Sequence, residues 1–67
     1  MSNTFMERLV AEKLELNGKL NKLAFFIQRE DTKGIVGEVQ FDLLVKQRKI
    51  MESYLAILTE RIKLLEL

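Results

Sequence analysis

Apolar residues recur at intervals of three and four positions along two long segments of this 67-residue chain. In the first segment they form one series, broken only at Lys13: Met6, Leu9, Leu16, Leu20, Leu23 and Ile27. Intervals of three and four place side chains on one face of an α-helix. No segment shows the alternation of apolar and polar residues that is typical of a β-strand. The pattern therefore predicts an all-α protein.

The two predicted helices are separated by a polar stretch that contains two closely spaced glycines. The first helix is expected from about residue 4 to 29, and the second from about residue 38 to 65. The turn is expected at about 30–37, where the helical pattern is interrupted. Ile35 and Val36 are placed to tuck under this connection as a hydrophobic staple. The whole chain is therefore predicted to be one domain, an antiparallel two-helix hairpin.

The second predicted helix carries more apolar surface than one partner helix can cover. At about 100° per residue, its apolar side chains spread over roughly half of the helix circumference. They are Leu43, Leu44, Ile50, Met51, Tyr54, Leu55, Ile57, Leu58, Ile62, Leu64 and Leu65. A chain this small has little core of its own, and without cysteine it has no disulfide. The surplus therefore predicts a homo-oligomer.

Composition excludes several kinds of partner and of chemistry. Eleven basic and ten acidic residues give a net charge of +1, so no broad positive field attracts DNA or an anionic membrane. No segment has the apolar length of a membrane span or the apolar core of a signal peptide, which favours the cytoplasm. Cysteine and histidine are absent, and the carboxylates show only ordinary helix-surface spacing. We therefore expect no cofactor, no metal site and no catalytic residues.

Arg61 interrupts the apolar arc of the second helix. On a helical wheel it lies about 20° from Tyr54, and a guanidinium in such surroundings needs a partner. One interpretation is a structural pair with a carboxylate or a helix C-terminus across a subunit interface. The other is binding of a phosphate group, which the planar donor fork of arginine suits well.

A strip along the first predicted helix interleaves aromatic rings with cations. Its members are Phe5, Arg8, Glu12, Lys19, Leu23 and Phe26, and Lys22 lies beside it. Rings stack on bases and cations neutralise phosphates, so the strip suits a small nucleotide better than a long nucleic acid. An ordinary helix flank with solvated charges is the alternative. On the first interpretation, Phe5, Arg8, Lys19 and Lys22 are candidate ligand-binding residues.

Gly18 lies inside the first predicted helix, where glycine is less favourable than alanine by about 1 kcal/mol. Close approach of a neighbouring helix, or of a ligand, would explain a residue without a side chain at this place. Both explanations stay open on the sequence alone.

The order of these residues resembles a family of small phage proteins over nearly the whole chain. That family is related to a protein of crAss-like phages and includes the anti-CBASS sponges, which sequester cyclic oligonucleotides. The resemblance rests on Arg8, Glu12, Leu16, Lys19, Lys22, Leu23, Phe26 and Ile27, followed by Leu43, Leu44, Gln47, Met51, Tyr54, Ile57, Leu58, Arg61 and Ile62.

The resemblance implies a compact homohexamer of helical hairpins. Cyclic dinucleotides such as cyclic GMP–AMP would lie between paired protomers, and cyclic trinucleotides such as cyclic triadenylate would lie at separate three-fold sites. Phe5 resembles the aromatic residue that stacks on a base. Lys19, ahead of Lys22, resembles the lysine that contacts phosphate. Arg61 resembles the arginine of the trinucleotide site. Phenylalanine stands where tyrosine is common in the family, which keeps the ring face and removes a hydroxyl hydrogen bond.

The function implied is binding and sequestration, without cleavage, of cyclic di- or trinucleotide second messengers in the host bacterial cytoplasm. Host immune effectors would then stay inactive during phage infection. A ligand-free helical assembly or adaptor protein is the structural alternative. A phosphodiesterase acting on the same ligands is the enzymatic alternative, and for it the sequence offers no metal ligands.

Overall fold

The structure, a computed structural model, describes residues 4–66. They form three helices, α1 (Thr4–Gln28), α2 (Thr32–Val36) and α3 (Glu38–Glu66). The all-α prediction is confirmed. The two long helices pack as a hairpin that measures 51 × 15 × 13 Å. Its radius of gyration is 15.3 Å, whereas a compact domain of this length has about 11 Å.

The core lies between α1 and α3, toward the end of the hairpin that is remote from the turn. Leu9 and Leu16 of α1 pack with Leu58 and Ile62 of α3, and Met6, Met51 and Leu55 lie partly buried against them. Every member of the predicted apolar series on α1 is buried or half-buried. The series is therefore the packing face of α1, as its spacing predicts.

The connection at 30–37, predicted to be a turn, contains the short helix α2. Thr32 is completely buried, and its hydroxyl donates a hydrogen bond to the carbonyl oxygen of Phe26. Gly37 ends α2 with φ +88° and donates its N–H to the carbonyl of Lys33 at 2.9 Å. Five residues are too few to show a helical period, which is why the pattern missed α2.

The prediction that Ile35 and Val36 tuck under the connection as a hydrophobic staple is wrong for Ile35 and holds only in part for Val36. Ile35 is 63% exposed, and Val36 is half-buried. Thr32 takes the place under the connection instead, because its hydroxyl satisfies a carbonyl at the end of α1 while its methyl group fills the space.

Thr32→Val is expected to destabilise the hairpin by about 1–2 kcal/mol, since it keeps the shape but leaves the Phe26 carbonyl without the hydroxyl donor. For a domain of this size that corresponds to roughly 4–16 °C in melting temperature. Thr59→Val is the matched control, because the Thr59 hydroxyl bonds the Leu55 carbonyl on an exposed face of α3. Thermal unfolding at one protein concentration measures both. Equal melting temperatures for the two variants would contradict the role of Thr32.

The hairpin leaves a second apolar face of α3 uncovered. Leu43, Ile50, Ile57 and Leu64 recur at every seventh residue and are all more than half exposed. The total accessible surface is 5389 Å², about 1,000 Å² more than a compact monomer of 7.9 kDa exposes. We call these four residues the outer stripe of α3. Residues seven positions apart lie on nearly the same side of an α-helix, so these four side chains form one continuous exposed apolar stripe.

Candidate functional site

Two of the predicted site residues meet at the end of the hairpin that is remote from the turn, where α1 begins and α3 ends. We call it the open end of the hairpin. Phe5 lies in the first turn of α1 and Arg61 in the last two turns of α3, and the Arg61 guanidinium carbon is 5.9 Å from the centroid of the Phe5 ring. This is the geometry of a cation–π interaction. Phe5 is 55% exposed, and Arg61 is exposed. The pair therefore presents a ring and a cation side by side to solvent.

Arg61 does not lie among buried apolar side chains within one hairpin. Its neighbours Leu58 and Ile62 face the core, while Arg61 itself lies between the core face and the outer stripe. Among residues 4–66 no carboxylate lies within ion-pair distance of it. Arg61 therefore has no carboxylate partner within the described part of this hairpin, and both interpretations of Arg61, a structural pair across a subunit interface and phosphate binding, stay predictions.

Of the remaining predicted residues, Arg8 shares the open end of the hairpin, and the two lysines do not. Arg8 follows Phe5 by one helical turn, whereas Lys19 and Lys22 follow Phe5 by about 21 and 26 Å along α1. All three cations are exposed. The set proposed from sequence thus falls into two groups, one at the open end and one toward the turn.

A groove lies on the last two turns of α1, beside the turn. It has a volume of about 450 Å³ and is lined by Asn21, Lys22, Phe25, Phe26 and Arg29. We call it the turn-end groove. Phe25 is 74% exposed, and the Arg29 guanidinium carbon lies 5.9 Å from the centroid of the Phe26 ring. The groove therefore combines an open aromatic face with two cations.

Arg29 is held by a two-point contact with Asp31. The Nε and Nη2 atoms of Arg29 donate hydrogen bonds to the two carboxylate oxygens at 3.2 and 2.9 Å. These hydrogen bonds lower the pKa of Asp31 below its ordinary value of 3.8. Both side chains of the pair are solvent-exposed. The pair therefore orients the Arg29 guanidinium and contributes little to the stability of the fold.

Sequence reasoning missed Phe25 and Arg29 as site residues. Phe25 reads as surplus apolar surface and Arg29 as the polar end of a helix, since neither breaks the pattern around it. The available signal was the spacing of Lys22, Phe25, Phe26 and Arg29, which places all four on adjacent rows of one helix face.

A second cation–ring contact lies near the turn, where the Lys33 Nζ atom is 5.7 Å from the centroid of the Phe41 ring.

Gly18 has no neighbour that requires a glycine within the hairpin. A Cβ atom built there would meet nothing within 4 Å. Within one hairpin, α3 is therefore not the closely approaching helix that would explain Gly18.

The side chains at the open end of the hairpin and at the turn-end groove are of types that bind anions and aromatic bases. Among residues 4–66 no three carboxylates come close enough to hold a metal ion. The described polar side chains there include guanidinium, ammonium and amide groups, which donate hydrogen bonds to anions and bases.

The sequence model of the Sequestin family matches residues 3–64. The match covers nearly the whole chain and confirms, at the level of the family, the resemblance found in the sequence. No curated protein and no solved structure matches the chain significantly. Within the described range 4–66, no helix has an apolar stretch long enough to cross a lipid bilayer.

Proposed function

The chain belongs to the Sequestin family, and from that membership and the site geometry we propose that it binds and sequesters cyclic di- and trinucleotides without cleaving them. The family name itself denotes sequestration. The observation that carries the proposal is the exposed Phe5–Arg61 pair, because it presents at one end of the hairpin a ring that can stack on a base and a guanidinium that can bind phosphate. In a phage-infected bacterium, such binding would lower the concentration of an immune second messenger in the host cytoplasm.

The distances along α1 support a site shared between two copies of the chain. Phe5 is about 21 Å from Lys19 and about 26 Å from Lys22 along the helix axis, which is more than one cyclic dinucleotide spans. A ring and a lysine that hold the same ligand therefore come from different protomers. Two copies of α1 packed antiparallel would bring the open end of one hairpin beside the lysines of the other.

The uncovered apolar surface supports the same assembly. The outer stripe of α3 is exposed in a single hairpin, and the surplus of about 1,000 Å² is similar to what one partner contributes to a standard interface. We propose a homo-oligomer, and the family resemblance favours a hexamer. A ligand-free adaptor would need the same stripe, so oligomerisation alone does not distinguish the two functions.

Contacts of the proposed kind are strong enough for sequestration. Submicromolar binding needs better than about 8 kcal/mol. Stacking on an aromatic ring contributes about 1–3 kcal/mol per base, and a hydrogen bond to a charged group contributes about 1.5–3 kcal/mol. Two stacked bases and three phosphate contacts from neighbouring protomers reach the required range.

Isothermal titration calorimetry of the purified protein against a panel of cyclic di- and trinucleotides tests the proposal. We expect submicromolar binding of at least one of them, at a ratio of fewer than one ligand per chain, because protomers share each site. Heating the complex is expected to release the intact ligand. Absence of heat across the panel would favour the adaptor, and recovery of a linear nucleotide would favour a phosphodiesterase.

A further inference from the structure

The turn-end groove has two cations at its ends and aromatic side chains between them. Lys22 lies in the last two turns of α1 and Arg29 directly follows the last residue of α1, and both line the groove. Phe25 and Phe26 fill the interval. Asn21 adds an amide at the edge of the groove. A flat ring with a negative charge near it is complementary to this arrangement.

The two cations keep donors available for an anion. Among residues 4–66 no carboxylate lies within ion-pair distance of Lys22. Arg29 uses its Nε and Nη2 atoms on Asp31, and its Nη1 atom is left outside that contact. The carboxylate and the Phe26 ring together hold the guanidinium at the groove.

We propose that the turn-end groove binds the phosphodiester and one base of a nucleotide, with Phe25 as the stacking ring and Lys22 and Arg29 on the phosphate. The nucleotide class of the ligand rests on the function proposed above. Among the two lysines considered from the sequence, the groove selects Lys22, since Lys19 does not line it. Phe25 and Arg29 are thereby added as ligand-binding residues.

Charge favours an anionic ligand over a second protein chain in this groove. An apolar protein surface that covered Phe25 would also desolvate the Lys22 ammonium, which has no ion-pair partner among residues 4–66, and this is unfavourable. A phosphate brings the opposite charge with it.

Asp31 is expected to weaken anion binding at the groove, because its carboxylate occupies donors of Arg29. Its carboxylate occupies one edge of the Arg29 guanidinium and places a negative charge near the phosphate. A ligand therefore competes with Asp31 for Arg29. Replacing the carboxylate by an amide of the same shape frees that edge for a two-point contact with phosphate.

Binding of cyclic GMP–AMP, or of whichever panel member binds the wild-type protein most tightly, tests the proposal by calorimetry at fixed ionic strength. Arg29→Gln is expected to weaken binding about tenfold, and Asp31→Asn to strengthen it about threefold. In the Arg29→Gln background, Asp31→Asn is expected to have no effect. Lys33→Gln is the matched control, since it removes a cation that also contacts a ring near the turn but lies outside the groove.

Several outcomes would overturn the inference while the proposed function survives. One is tight binding by the wild type with equal affinities for Arg29→Gln and Lys33→Gln. Another is a lower affinity for Asp31→Asn. Phe25→Ala is expected to weaken binding at an unchanged oligomer mass by light scattering, and a change in mass would make the groove a subunit contact. Failure of the wild type to bind any panel member would instead end the proposed function.

Discussion

Ile50→Glu is expected to convert the proposed homo-oligomer into smaller species and to abolish tight ligand binding. Ile50 is 69% exposed in the single hairpin, and glutamate is a good helix former, so the hairpin itself loses little stability. Within a packed stripe the same change buries an unpaired carboxylate, which costs several kcal/mol at each contact. A loss of that size reduces association by a factor of about a thousand. Light scattering and calorimetry measure the two effects.

The matched control is Ala56→Glu. It makes the same change of charge in the middle of α3, at an exposed position about 100° from the outer stripe. We expect the oligomer mass and the affinity of Ala56→Glu to equal those of the wild type. If Ile50→Glu retains helical circular dichroism and the full oligomer mass, the outer stripe is not the assembly surface. Ile50→Gln separates the effect of charge from that of lost apolar area.

The hairpin could be predicted from the sequence because its apolar residues obey a single period on α1. Leu9, Leu16 and Leu20 are spaced for one face and are all buried. The spacing of apolar residues is a local property of the chain, so it can be recognised without knowing which helix packs against α1. α2 could not be predicted in this way, because it is set by the hydrogen bond from Thr32 to Phe26 and not by a repeat.

The contacts within the candidate site could not be predicted from local sequence patterns. Arg61 stood out because it breaks an apolar arc, but its contact with Phe5 joins residues from opposite ends of the chain, and no spacing within one helix encodes such a contact. The turn-end groove depends on the rotamers of Phe25 and Arg29, which the order of residues does not specify. The sequence thus indicates which residue types can bind a nucleotide, and packing decides which of them can do so together.

Arg61→Ala is expected to weaken binding of a cyclic trinucleotide by about 10- to 100-fold and binding of a cyclic dinucleotide by about two- to fivefold. The first figure corresponds to loss of a charge-assisted phosphate contact of about 1.5–3 kcal/mol. The second follows from the Phe5 ring, which loses an exposed cation–π partner that contributes about 0.5–1 kcal/mol to holding it in place.

Arg61→Lys is the control that separates the two roles of the guanidinium. A lysine keeps a cation near Phe5 but cannot make the planar two-point contact with phosphate. We therefore expect Arg61→Lys to restore dinucleotide affinity to the wild-type value and to leave trinucleotide affinity at least about fivefold weaker. The measurement is calorimetry with both ligands, at an oligomer mass shown to be unchanged. Equal losses for the two ligands in both variants would contradict separate sites and would favour one common site that contains Phe5 and Arg61.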